Sequence, residues 1–256
     1  MTSSATILGE SLIFGTRNLH GLFLAPDEPA LARVLIVSPL FEEKRIAHRA
    51  LITCARALAQ AGVAVFMPDL TGTGNSAGRL VQATLDGWLE DLREAVAVLT
   101  ARTDAPLRII GCRAGALLAA RLVDDDLFAD RLLLWQPVVS GKSYLGQLRT
   151  RRKIQDQMTG DAPPEVGACE IEGEELSPEL YAQLEAVQLP DKLPHSTVCL
   201  VQCAFNEKLI AEYERLVTRW GAERVSVRYL IAEPFWHAHT PGAYAELAAA
   251  LVKEVV

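Results

Sequence analysis

Continuous apolar runs recur along this chain, each followed by a stretch with helical spacing, and that rhythm limits the folds open to it. The runs "RVLIVS" (33–38), "VAVFMPD" (63–69), "LRIIG" (107–111) and "RLLLWQP" (131–137) show no two-residue alternation of apolar and polar side chains. A strand of that kind is covered on both faces, the condition of a parallel sheet. Between the first two, "AHRALITCARALAQAG" has helical spacing and ends at Gly62, a glycine C-cap. "TLDGWLEDLREAVAVLTAR" (84–102) is the next helix. Such alternation with short connections predicts a mostly parallel sheet flanked by helices, with right-handed crossovers. Looser alternation from Leu12 to Ala25 around "GTRN" predicts an antiparallel hairpin in front of it.

From about Gly141 the rhythm stops, and it resumes only with "STVCLVQCA" (196–204) and "VSVRYLIA" (225–232), each followed by a helical stretch. The interruption opens on the basic "KSYLGQLRTRRK", crosses "TGDAPPEVG" and turns acidic in "EIEGEELSPELYAQLEAV". The expected organisation is therefore one α/β core, 1–140 and 194–256, with a part-helical lid, 141–193, inserted after the sixth strand. Half of the 256 residues are hydrophobic and the net charge is -7. That supports a full core and argues against a nucleic-acid or anionic-membrane surface. No apolar run is long enough for membrane insertion, and "MTSSATILGESLIFG" lacks the basic start and apolar core of a secretory signal. Five cysteines without a CxxC pair read as reduced, mostly buried thiols, and the expected location is the cytoplasm.

The most informative stretch is "RIIGCRAGALLAARL" (108–122): a short strand, a glycine turn, then an alanine-rich helix. With "PLFEE", the Asp-x-x-Gly-x-Gly-x-Ser run from Asp69 to Ser76, and the strand order around them, the chain resembles the α/β-hydrolase superfamily over nearly its whole length. More narrowly, "PLFEE", "GCRAGALLA", "LLLWQPVVSGK" and "EPFW" are similar to a hydrolase-like family associated with the bacterial exosortase A system, which implies a setting near exopolysaccharide and protein-sorting functions.

The resemblance implies a nucleophile at the centre of a Gly-x-Nu-x-Gly frame, on a strained turn at a helix N-terminus. Here Gly111 and Gly115 supply the frame and Arg113 occupies the centre. A guanidinium is permanently protonated and cannot attack a carbonyl. Cys112 is the substitute to consider: a thiolate at a helix N-terminus beside an arginine has a lowered pKa. Against it, the residue before the elbow centre normally points sideways into packing. In the acid position "QCAFNEK" offers Asn206, with Glu207 beside it; Asn206 is equally readable as a helix N-cap. His237, with His239 second, stands where the family carries its base. Their H-x-H spacing lacks a third ligand cluster, so no metal is expected. "TGTGNSAG" lacks the Lys-Ser/Thr of a P-loop, so no nucleotide or other cofactor is expected.

The oxyanion loop maps to "SPLFEE", where amides near Leu40 and Phe41, with that of Ala114, form an expected anion-binding nest. Glu42 and Glu43 are unusual there, and either one pairing with Arg113 would fill the old site with a salt bridge. Two readings follow. In the first, a degenerate hydrolase fold binds a small anionic or acyl ligand under its lid, anchored by Arg113. In the second, an active ester or thioester hydrolase, or an acyltransferase, uses Cys112 with His237 and Asn206 or Glu207. A protein partner in an exopolysaccharide or sorting assembly is compatible with the first, with Arg149, Arg151, Arg152 and Lys153 as its candidate surface.

Overall fold

A computed structural model describes residues 7–124, 127–159, 169–192, 196–231, 234–237 and 244–256. The expected hairpin is β1 (Ile7–Phe14) and β2 (Leu19–Pro26), which pair antiparallel. Its turn uses positive φ at Gly15 and Asn18, the residue types that tolerate that region. The apolar runs become β3 (Ala32–Val37), β4 (Val63–Pro68), β5 (Leu107–Cys112), β6 (Arg131–Trp135), β9 (Thr197–Ala204) and β10 (Val225–Ile231). They join the hairpin in an eight-stranded sheet of order β1-β2-β4-β3-β5-β6-β9-β10, parallel from β4 onward.

Continuous apolar strands have two faces to bury, and the residues divide accordingly. Leu35, Phe66, Ile109, Leu132 and Leu134 pack against α2 (Leu85–Arg102) and α3 (Gly115–Asp124). Val34, Ile36, Val65, Ile110 and Leu133 pack against α1 (Phe41–Gln60) and α7 (Tyr244–Val255). Two helix starts differ from the sequence expectation. The first helix begins at Phe41 rather than near Ala47, so the glutamates of "PLFEE" lie in its first turn. Helix α6 spans Ala211–Trp220, with Ile210 at its N-cap, so Asn206 is not the cap. Buried Gln202 accounts for the delay: it donates to the Lys208 carbonyl at 2.8 Å and accepts from the Ile210 amide at 3.0 Å, holding 208–210 extended.

Between β6 and β9 the chain inserts α4 (Gly141–Thr159), the hairpin β7 (Glu170–Ile171) with β8 (Glu174–Glu175), and α5 (Pro178–Ala186). Much of "TGDAPPEVG" lies outside the described residues. The insertion is closed at its root, where the Gly141 amide donates to the Val187 carbonyl at 2.8 Å and Leu189 to Val139 at 2.9 Å. A Cβ at Gly141 would stand 1.7 Å from the Leu184 carbonyl oxygen, so only glycine allows the two helices to meet there. Tyr144, Leu145, Leu148, Leu180 and Leu184 join the main core, while the basic run is answered within the insertion. Arg149 lies over the Tyr181 ring, Arg151 pairs with Glu172 and Arg152 with Asp156. Among the described residues no helix is long and apolar enough to cross a membrane.

Candidate functional site

The connection from β5 to α3 is the sharp turn expected from "GCRAG". Arg113 sits at its apex with φ +52°, in the left-handed region, where a non-glycine residue is strained by about 1–3 kcal/mol. Backbone bonds impose the conformation: its amide donates to the Trp135 carbonyl at 3.0 Å, and its carbonyl accepts from Ala116 at 3.0 Å and Val138 at 3.1 Å. A Cβ on Gly115 would lie 2.3 Å from the Ser38 carbonyl oxygen, and one on Gly111 2.6 Å from the Ala116 Cα. The glycine frame is thus a steric requirement, and it fixes Arg113 as the central residue.

The Arg113 side chain is buried and held by three hydrogen bonds. Nε and Nη2 donate to Glu43 Oε2 and Oε1 at 3.2 and 3.1 Å, a two-pronged pair, and Nη1 donates to the Gln136 carbonyl at 3.1 Å. The guanidinium carbon stands 4.6 Å from the centre of the Trp236 ring. Glu43 is 1% exposed, and Tyr144 of the insertion donates its hydroxyl to Glu43 Oε2 at 3.3 Å. Burial and the neighbouring Glu43 carboxylate push the Tyr144 phenol well above its ordinary range. Of the two glutamates left open by the sequence, Glu43 is therefore the partner. Glu42 pairs instead with Arg45, one turn along the helix surface.

His237 lines a cavity of about 230 Å³ together with Arg113, Tyr144 and Trp236. Its Nδ1 lies 3.2 Å from Arg151 Nη1. An arginine only donates, so Nδ1 must be the acceptor and a neutral His237 carries its proton on Nε2. That is the reverse of a catalytic base, whose Nδ1–H is oriented by a carboxylate and whose Nε2 is free to accept. Burial, then Arg151 and Arg113, hold the His237 pKa below its ordinary value. His239 lies outside the described residues.

The remaining sequence candidates are not brought to this cavity. Asn206 is exposed and its Oδ1 accepts from the Lys208 amide at 3.1 Å, within its own loop; Glu207 is exposed beside it. Cys112 is fully buried among Cys54, Cys203 and Trp135 in the cluster packed by α1 and α7, and it does not line the cavity. Burial raises its thiol well above the ordinary value, against the lowering expected from the helix N-terminus. Ala114 is buried directly after Arg113, and Phe41 has φ +54° at the start of α1. The Leu40 carbonyl lies 3.4 Å from Tyr144 Oη, a second acceptor for the one hydroxyl proton that Glu43 also receives. Among the described residues no group of three acidic, histidine or cysteine side chains could hold a metal. Tyr144 and Arg151 were not legible as site residues because their contacts depend on how the insertion docks, and Gln136 because it meets Arg113 through its backbone carbonyl.

The family model for serine aminopeptidase, S33, matches residues 31–185. No curated protein matches the chain. Among solved structures, Est1E from Butyrivibrio proteoclasticus, with ferulic acid bound, aligns at TM-score 0.66 and 15% identity over 95% of this chain and 97% of its own. An α/β serine hydrolase homologue from Coxiella burnetii aligns at TM-score 0.61 and 17% identity over 97% of both. An α/β serine hydrolase without a lid from Xanthomonas campestris aligns at TM-score 0.59 and 17% identity over 100% of this chain and 95% of its own. These likenesses show the α/β-hydrolase fold.

Proposed function

The chain belongs to the serine aminopeptidase S33 family, and from that premise we propose that it is a catalytically degenerate member, a binding protein rather than a hydrolase. One observation carries the reading: the position of the nucleophile is held by a buried arginine locked to Glu43. Around it, the histidine lone pair at Nδ1 is taken by Arg151, so the cavity presents hydrogen-bond donors where hydrolysis needs a nucleophile and a base. Among the described residues three of the five Arg113 N–H groups have acceptors, leaving two, and His237 adds its Nε2–H. Because Glu43 balances the guanidinium charge, recognition rests on donors more than on net charge, which favours an acyl carbonyl over a free anion. Residues 141–193 serve as the lid over this ligand. The resemblance of "GCRAGALLA" and "EPFW" to the exosortase-associated family supports a role in a cytoplasmic step of that system, with a protein partner as a further element.

The test is direct. Intact protein treated with a fluorophosphonate, with iodoacetamide and with p-nitrophenyl butyrate should show no acylation or turnover and no alkylation at Cys112 while folded. Arg113→Ser should not gain esterase activity, because His237 is oriented as a donor by Arg151 and no carboxylate among the described residues bonds to it. Stoichiometric modification of Cys112, or turnover by Arg113→Ser, would return the protein to the active hydrolases.

A further inference from the structure

We propose that the cleft between the β3–α1 and β4–α2 connections is a second ligand site, built for a monocarboxylate with an apolar chain. It encloses about 500 Å³, within the roughly 300–1,000 Å³ range of small-molecule sites. Leu40, Leu70, Leu80, Trp88 and Leu92 form its apolar wall, and Lys44 stands at its polar end. The Lys44 ammonium has three donors. Two are taken, by Asp69 Oδ1 at 2.6 Å and Thr73 Oγ1 at 2.9 Å. The third has no partner among the described residues.

Asp69 has little acceptor capacity to spare, since three of its roughly four acceptor sites are occupied. Its Oδ1 takes Lys44, and its Oδ2 takes the Asn75 amide at 2.9 Å and lies 3.3 Å from His20 Nδ1. Burial pushes this carboxyl upward, but Lys44, the Asn75 amide and His20 outweigh it, so it stays ionised. What remains open at that end is donor capacity, reinforced by His48 one helical turn from Lys44 at the same cavity. An acceptor head with an apolar body satisfies both ends. A polyol would leave hydroxyls against Leu80, Trp88 and Leu92, and a cation would meet Lys44. The inference does not rest on the inertness of Arg113, which lines the other cavity.

Calorimetric titration of the full chain with octanoate, hexanoate and 1-octanol tests it. Octanoate should bind at least tenfold tighter than octanol, and about tenfold tighter than hexanoate, since each buried methylene is worth roughly three- to fourfold. Lys44→Met should abolish the advantage over octanol and Lys44→Arg should keep it, with melting curves confirming that both fold. Ser143→Trp, which fills the Arg113 cavity, should leave octanoate binding unchanged. Absence of octanoate binding by folded protein at millimolar ligand, equal affinity in Lys44→Met, or loss of binding in Ser143→Trp would each overturn the proposal.

Discussion

Arg113 combines three unfavourable conditions for a single side chain: a left-handed backbone, burial, and a full charge. Glu43 makes them tolerable, because its two oxygens meet two guanidinium donors in parallel and Tyr144 takes up a remaining lone pair. A buried pair of this kind adds little net stability when intact, yet removing one partner strands the other charge, at about 3–5 kcal/mol. Arg113→Met should therefore lower the unfolding free energy by about that amount in urea melts, while Arg113→Met with Glu43→Gln should recover a large part of it. If the single and double variants are equally destabilised, the pair is not the closed unit described above. A different trio shows why hydrogen-bond order alone does not make a catalytic site. Ser11 Oγ lies 2.7 Å from His20 Nε2, and His20 Nδ1 lies 3.3 Å from Asp69 Oδ2. Ser11 is exposed on β1 and lines neither cavity, and Asp69 is already bound to Lys44.

At the scale of elements, the strands were legible because burial on both faces leaves an unmistakable apolar run, and the elbow because its glycines answer steric needs. Gly115→Ala puts a methyl 2.3 Å from the Ser38 carbonyl, backbone against backbone, so neither side can yield by a rotamer change. It should cost about 1–3 kcal/mol or more, beyond an ordinary glycine substitution, and shift the denaturation midpoint accordingly. Gly146→Ala on α4, where a Cβ meets nothing within 4 Å, is the control and should be neutral or stabilising. What could not be read was which of two adjacent glutamates turns inward. Neighbouring positions on a helix differ by about 100°, so the choice depends on where the helix starts, and Phe41 rather than Ala47 starts it. The same holds for Asn206: the cap position was lost to a tertiary contact, the two bonds from Gln202. Tyr144 carries no local signature, and Arg151 reads only as part of a basic run; the contacts of both exist only once the insertion is folded against the sheet. Gln136 meets Arg113 through its backbone carbonyl, a contact that leaves no mark on residue type.

Taken as one molecule, the insertion and the old catalytic position are joined through Tyr144 and Arg151. Tyr144 reaches Glu43, and Arg151 bridges Glu172 and His237. The second junction makes the whole fold sensitive to mild acid. The groups facing His237 include Arg151 and Arg113, both cationic, with Glu212 on the same cavity. Its folded-state pKa is accordingly held below the ordinary 6.5, first by burial and then by these two arginines. Below that ordinary value the unfolded chain takes up a proton more readily than the folded one, so stability falls as pH drops from about 6.5 toward the lower folded value and is unaffected above it. Asp69, whose pKa is lowered from 3.8, acts in the same direction only in more acidic solution, which separates the two windows. Thermal melts at pH 7.5 and 5.5 should show a loss of stability in the natural chain that shrinks in His237→Gln. An unchanged loss in that variant would mean that the Arg151–His237 contact does not hold the insertion in solution.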